Sequence, residues 1–140
     1  MRFAQIERDY WELRSGEEAH FANPDNFWIP DEASRNALRV GQAVKLAFDI
    51  EIEEEPGQPI VQGERMWVIV SEARSDFYVG ILDNQPGSFE PTDSVYLRFG
   101  AEIPFAPEHV IDIADPPKEH ADWQLSQEPE VRWYGRDDDA

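Results

Sequence analysis

The chain has 140 residues, of which 41% are hydrophobic and 12% aromatic, and its formal net charge at pH 7 is −18. This apolar content predicts one folded domain with flexible ends and excludes a wholly disordered chain. The acidic charge argues against binding to nucleic acid or to an anionic membrane, because both need Lys and Arg, and it favours a basic protein partner or a cation. An alternative interpretation is that the charge only keeps the protein in solution.

Cysteine is absent from the sequence. This excludes a disulfide framework, thiol catalysis and cysteine-ligated zinc or iron–sulfur centres. Residues 1–11 contain charges where a signal peptide needs an apolar run, and no stretch has the length of a transmembrane helix. We therefore expect the protein in the cytoplasm.

The first part of the chain, residues 1–40, is predicted to form a cap over the core. Residues 20–30 hold two prolines and two signals for Asx turns, so we expect them to lie across the core as an extended lid. An acidic start and a basic end predict a short helix over 31–39, with Asp31 as its N-cap. Apolar residues spaced three and four apart before Gly16 predict another short helix: Phe3, Ile6, Tyr10 and Leu13.

Residues 43–52 have the clearest period in the sequence. Every second residue is apolar, which predicts a strand with one buried face: Val44, Leu46, Phe48, Ile50 and Ile52. Three glutamates followed by Pro and Gly then predict an exposed loop over 53–59, because like charges repel and the turn signals are strong.

A hairpin is predicted next. Two runs rich in β-branched and aromatic residues, Met66–Val70 and Phe77–Leu82, flank a polar stretch. Residues 86–94 are predicted to form a second loop. Short strands are predicted at 95–99, 100–105 and 109–113, with one helical turn at 106–108.

Beyond residue 113 the apolar pattern fails. Residues 114–140 contain eight acids and three bases, a net −5, and a run of Asp lies near their end. Trp123, Trp133 and Tyr134 predict that part of this tail packs on the body or on a partner.

The predicted fold is α+β and mostly β. We expect a small, strongly bent antiparallel sheet or an SH3-like barrel, with one or two short N-terminal helices and an acidic C-terminal tail. The predicted organisation is one globular domain at 1–113, formed by the cap 1–40 and a β core 43–113, followed by the partly packed tail 114–140. An open antiparallel sheet with the 31–39 helix on one face is the alternative.

An ordered series of motifs runs through residues 20–113: Phe27-Trp28-Ile29-Pro30, Leu38–Leu46, Glu64–Val68, Tyr78–Pro86, and Ile103-Pro104-Phe105 with His109-Val110-Ile111. This series resembles a group of small bacterial domains of unknown function, which occur alone and among immunity proteins of polymorphic toxin systems. Arg-Met-Trp-Val followed by Gly-Ile-Leu-Asp-Asn-Gln-Pro is its most specific part. The resemblance implies a shared fold and assigns no catalytic residue.

Motifs of enzymes are missing from the sequence. His20, His109 and His120 form no paired metal spacing, no serine lies in a G-x-S-x-G turn, and there is no phosphate loop or dinucleotide fingerprint. His109 is interpreted as a hydrogen-bonded structural residue rather than a base. Asp83-Asn84 is interpreted as a turn. We expect no cofactor, no metal and no enzymatic activity.

The candidate binding site is an acidic cluster beside the predicted strand. Asp49, Glu51 and Glu53 would project from its polar face, next to Glu54 and Glu55. Paired carboxylates of a hydrolase or a weak calcium site are alternatives, and a solvated face is favoured over both.

Trp67 is a candidate anchor for a partner, because Trp is enriched at binding hot spots, and it is equally a candidate core residue. The predicted function is that of a non-catalytic acidic protein, most specifically an immunity protein that occludes a basic toxin domain. A housekeeping enzyme or a small-ligand-binding domain with an unrecognised pocket is the alternative.

Overall fold

The computed structural model of the protein describes residues 1–89 and 95–137. Residues 90–94 of the predicted second loop and residues 138–140 of the predicted tail lie outside the described residues. The described elements follow in this order: α1 (Ile6–Asp9), β1 (Trp11–Leu13), α2 (Gly16–Ala22), α3 (Glu32–Arg35), β2 (Ala43–Glu55), β3 (Gln58–Ala73), β4 (Tyr78–Leu82), β5 (Glu102–Phe105), a 3-10 turn (Pro107–His109), β6 (Val110–Ala114) and α4 (Lys118–Ser126).

The described strands form one antiparallel sheet in the order β1-β2-β3-β4-β5, and β6 also pairs with β2. One edge of β2 pairs with β3 along its whole length. The other edge pairs with β6 at Ala43–Leu46 and with β1 at Phe48–Ile50. The 3-10 turn returns the chain from β5 to β6, and the sheet curls into a half-barrel. The predicted α+β, mostly β fold with a strongly bent antiparallel sheet is confirmed.

The concave face of the sheet holds the main core. The alternation predicted for 43–52 is confirmed, since Val44, Leu46 and Phe48 have 0% exposure and Ile50 has 3%. The predicted hairpin is confirmed as β3 and β4. Their close approach requires glycine at position 80, where a Cβ atom would lie 2.2 Å from Cγ1 of Val68.

The first helix ends much earlier than predicted. Tyr10 adopts a left-handed conformation with φ 66°, which ends α1, and the chain then extends into β1. Burial of Trp11 explains the difference: its ring packs against Phe48 and Tyr96, and the residue is 2% exposed. The spacing of three and four residues placed Tyr10 on the apolar face of the predicted helix. That placement is wrong, because Tyr10 is 63% exposed and its neighbour Trp11 is the buried aromatic residue.

The cap contains two further short helices. The chain starts α2 at Gly16, where the prediction ended a helix, because the Ser15 hydroxyl accepts a hydrogen bond from the Glu18 N–H. Asp31 caps α3 as predicted, and its carboxylate accepts from the Ser34 N–H at 2.7 Å, although α3 is shorter than 31–39. The predicted lid is wrong at Phe21 and Trp28, whose exposures are 88% and 69%.

The last part of the chain wraps the sheet. No strand forms at 95–99, because the Arg98 guanidinium folds back and donates to the Val95 carbonyl at 2.6 Å. Helix α4 was not predicted, and it packs Ala121 and Leu125 beside Ile69 of β3. Trp133 is 3% exposed within the main core. Among the described residues, no helix is both long and apolar enough to cross a membrane.

Candidate functional site

A two-stranded arm projects from one end of the half-barrel. Pairing between β2 and β3 continues to Glu55 and Gln58, whereas β1 pairs with β2 only to Ile50 and β4 pairs with β3 only from Val68. In the described part of the chain, both outer edges of residues 52–62 are therefore without a neighbouring strand. We call residues 52–62 the hairpin arm.

The predicted loop at 53–59 is wrong, because these residues belong to the arm. Pro56 and Gly57 alone make the turn, and Gly57 has φ +80°. Proline followed by a glycine with positive φ is typical of a tight type II turn. Three consecutive glutamates can be accommodated in this strand because residues 58–62 of the partner strand carry no charge and so add no repulsion.

The predicted acidic residues divide into separate environments. Asp49 is held by Arg14, with 3.7 Å between its carboxylate and the guanidinium Nε. Glu55 lies beside the turn and is exposed. Glu51, Glu53 and Glu54 together line one rim of a groove at the base of the arm.

This groove has a volume of about 730 Å³ and a mostly apolar floor. We call it the acid-rimmed groove. Its walls come from the end of α1, from β1, from the free edge of β2 and from described residues on either side of 90–94. The lining residues besides the three rim glutamates are Asp9, Tyr10, Trp11, Ile50, Ile52, Ser88, Phe89, Val95, Tyr96 and Leu97.

Two of the polar groups in the groove lining, both buried, differ in whether they have a hydrogen-bond partner. The buried indole N–H of Trp11 has no hydrogen-bond partner among the described residues. Such an orphan donor is unfavourable unless a ligand or water accepts from it. The other group is the carboxylate of Asp9, whose partners belong to the protein itself.

Asp9 joins the two ends of the chain. Its carboxylate accepts two hydrogen bonds from Arg2, at 2.7 and 3.0 Å, and a third from the Tyr134 hydroxyl. The Gln5 N–H also donates to it, at 2.9 Å. Burial alone would raise the pKa of Asp9, but these donors outweigh burial and hold that pKa below its ordinary value. Asp9 is therefore an ionised anchor of the groove wall.

Trp67 does not join the acidic residues. It lies opposite Lys45, with the Lys45 ammonium 5.0 Å above its ring, and it packs beside Ala121 and Leu125 of α4. Glu53 lies eight positions after Lys45 in β2, which corresponds to about 26 Å at about 3.3 Å per residue. Trp67 shares the outer face of the sheet with the glutamates but is a packing residue beneath α4.

A second polar cluster links α4 to the end of β4. The Asp83 carboxylate lies 2.8 and 2.9 Å from Nε2 of His120, and it accepts from the Gln124 amide at 2.8 Å. Asp83 therefore anchors the helix as well as ending the strand. This role was missed because the sequence gives no sign of α4.

His109 is hydrogen-bonded, as predicted. Its Nδ1 accepts from the Ala106 N–H at 2.9 Å, which leaves the proton of the neutral ring on Nε2. Burial lowers the pKa of His109. Within 1–89 and 95–137, no group of three or more His, Asp or Glu residues is arranged to hold a metal ion.

The groove residues Trp11, Phe89, Tyr96 and Leu97 were not predicted as site residues. They come from distant parts of the chain, and only the curvature of the sheet brings them together. No family model, no curated protein and no solved structure matches the chain. The resemblance to immunity-related bacterial domains stays a prediction.

Proposed function

We propose that the protein is a non-catalytic binding protein that holds a basic segment of a partner protein in the acid-rimmed groove. The observation that carries this proposal is the meeting of Glu51, Glu53 and Glu54 with an apolar floor in one concave surface. A Lys or Arg side chain combines an apolar stem with a cationic end, so it matches both parts of the groove.

Electrostatics supports a basic partner over a neutral one. The three rim glutamates form no ion pair with a described Lys or Arg, whereas the neighbouring Asp49 is paired with Arg14. Their charge is therefore available to steer a cationic surface, which mainly raises the rate of association. The apolar floor supplies contacts that slow dissociation.

The narrower proposal is that this partner is a toxin domain and that the protein acts as an immunity protein in the cytoplasm. It rests on the resemblance of the motifs in residues 20–113 and on the acidic charge. A basic active-site cleft in the toxin is the surface that the hairpin arm would occlude. An adjacent toxin gene would identify the partner.

Surface plasmon resonance against the product of the adjacent gene tests the proposal. The variant Glu51→Gln/Glu53→Gln/Glu54→Gln should lower the association rate about tenfold at low salt, and the difference should shrink as salt rises. Ile52→Ala should mainly raise the dissociation rate.

The matched control is Asp25→Asn/Glu119→Gln/Glu128→Gln, which removes the same charge from exposed positions outside the groove. Equal association rates for the two triple variants would remove the groove from the interface. No binding by the wild type would exclude that gene product as the partner.

A second candidate function, capture of a small cationic ligand, is favoured by the size of the groove and by Trp11. A volume of about 730 Å³ lies in the range of small-molecule sites. A ligand with an ammonium group and a carbonyl could meet a rim glutamate and the orphan indole N–H together. Thermal-shift screening with primary amines tests this, and Glu53→Gln should abolish any stabilisation that is specific to the groove.

A further inference from the structure

We propose that the outer face of the sheet carries a second site, which binds a small organic anion. In this site the oxyanion of the ligand contacts Lys45 and Arg65, and its planar body stacks on Trp28. The site lies beyond the proposed groove function and shares no residue with it.

The site is a cleft of about 250 Å³ between the outer face and the 23–30 segment. Lys45 lies opposite Trp67 and Arg65 lies opposite Ala47, so the two cations are diagonal neighbours on adjacent strands. Diagonal neighbours on one face are about 7–8 Å apart at the backbone, a span that one oxyanion can bridge with long side chains. The lining residues are Asn26, Phe27, Trp28, Lys45, Arg65, Ile111 and Asp112.

Both cations are positioned by aromatic rings instead of carboxylates. The Lys45 ammonium lies 5.0 Å from the centre of the Trp67 ring, and the Arg65 guanidinium carbon lies 5.3 Å from that of Phe27. Neither has a carboxylate oxygen within 4.0 Å among the described residues, although acids outnumber bases by 30 to 12 in the chain. A cation over a ring keeps its N–H donors free for a ligand.

Trp28 supplies a flat surface beside these cations. It is 69% exposed although its side chain is large and apolar, and it separates the cleft from a second concavity of about 430 Å³ that contains Arg39. An exposed indole beside unpaired cations can stack on an aromatic or other planar group. This combination selects an organic anion over a simple inorganic one.

One acidic residue limits the charge that the site accepts. Asp112 pairs in register with Lys45 on β6 and lines the same cleft. Its Oδ1 accepts a hydrogen bond from the Ile113 N–H, which holds the carboxylate near the ligand position. Phosphate monoesters and carboxylates both offer the required oxyanion. The negative charge of Asp112 disfavours the phosphate monoester, which is the more highly charged of the two.

Isothermal titration calorimetry with phenyl phosphate, benzoate and inorganic phosphate tests the proposal, at about 20 mM salt to limit screening. Phenyl phosphate and benzoate should both bind saturably, and phenyl phosphate should bind at least about fivefold tighter than inorganic phosphate because its ring stacks on Trp28. The ratio of the binding affinities of benzoate and phenyl phosphate distinguishes a carboxylate ligand from a phosphate monoester. No saturable binding of either aromatic anion at millimolar concentration would overturn the proposal.

Four variants localise the binding. Lys45→Gln and Arg65→Gln should each weaken phenyl phosphate binding about tenfold, as expected for loss of one charge-assisted contact. Trp28→Ala should reduce phenyl phosphate to the affinity of inorganic phosphate. Asp112→Asn should tighten phenyl phosphate binding, because it removes the carboxylate that faces the ligand.

The matched control is Arg74→Gln/Lys118→Gln, which removes two exposed cations that are already paired with Glu72 and Asp122. It should leave the affinity of phenyl phosphate within about twofold of the wild-type value. Equal weakening by this control and by Lys45→Gln/Arg65→Gln would show that only net charge matters, and would refute the site. Unfolding midpoints of all variants establish that they are folded.

Discussion

Replacement of Asp9 by Asn tests the contact that ties the two ends of the chain together. The Asp9 and Arg2 side chains are only 1% and 5% exposed, and their two hydrogen bonds are in the fork geometry that Arg forms with a carboxylate. Arg2 also lies over the ring of Trp133, with 5.1 Å from the guanidinium carbon to the ring centre. Loss of the carboxylate charge therefore affects the N-terminus and the C-terminal segment together.

The expected loss of unfolding free energy is large because the substitution removes the charge of one partner in a buried ion pair. The introduced amide would keep the shape of the side chain, but an NH₂ group would replace one of the two carboxylate oxygens and would face donors. Breaking a buried pair in this way costs about 3–5 kcal/mol of unfolding free energy. Tyr134→Phe removes a single hydrogen bond to the same ionised carboxylate, and it should cost about 1.5–3 kcal/mol.

Urea denaturation followed by tryptophan fluorescence measures both values. Asp25→Asn is the matched control, since Asp25 is exposed and the substitution removes the same charge. The control should leave the midpoint close to that of the wild type. If Asp9→Asn lowers the unfolding free energy no more than Tyr134→Phe does, the ion pair between Arg2 and Asp9 contributes nothing beyond a single hydrogen bond to the carboxylate, and the expected loss is refuted.

Three further predictions concern the sheet and its pH dependence. Phe48→Ala should lower the unfolding free energy by about 3–5 kcal/mol, and Glu51→Ala by only about 0.3 kcal/mol, in urea titrations; the reverse order would contradict the observed strand register. Gly80→Ala should cost about 1–3 kcal/mol by overpacking, because the added Cβ meets Val68 at 2.2 Å, whereas Gly63→Ala, with its nearest neighbour at 3.9 Å, should be tolerated. The folded-state pKa of His109 is lowered by burial, so its contribution to stability should decline as pH falls below its ordinary value of 6.5. Burial alone would raise the pKa values of Asp9 and Glu72, but their Arg partners outweigh burial and hold both pKa values below the ordinary values of 3.8 and 4.5. A second loss of stability should therefore begin as pH falls below those ordinary values. A urea midpoint that is constant from neutral to acidic pH would contradict the expected effects of His109 and of the two carboxylates.

The sequence predicted those parts of the fold whose signals are local. The alternation in β2 identifies the buried face directly, and Asp31 lies where a helix cap is expected and makes the expected hydrogen bond. In contrast, β1 depends on the burial of Trp11 against Phe48 and Tyr96, which lie far away in the chain. Helix α4 has few apolar residues. It is held against the sheet by the packing of Ala121 and Leu125 and by its hydrogen bonds to Asp83.

The candidate sites were predictable to different degrees. The cluster of glutamates is visible in the sequence, but its place in a strand depends on the tight turn at Pro56-Gly57 and on the uncharged partner strand. The groove depends on curvature, which has no local signal. The diagonal placement of Lys45 and Arg65 was also invisible, because it requires the register between β2 and β3.

The outer face of β2 explains how one acidic chain presents two sites of opposite charge. From Lys45 the outward residues continue through Ala47 and Asp49 to Glu51 and Glu53, so the charge changes sign along a single strand. About 26 Å separates Lys45 from Glu53, and this is about three times the Debye length of about 8 Å at physiological salt. The glutamates therefore weaken anion binding at Lys45 very little, and the cations do not neutralise the groove. At physiological salt, substitutions at one site should accordingly leave the affinity at the other unchanged, whereas at about 20 mM salt the Debye length of about 20 Å would let the two sites influence each other. Comparison of the two proposals in the same protein therefore belongs at physiological salt.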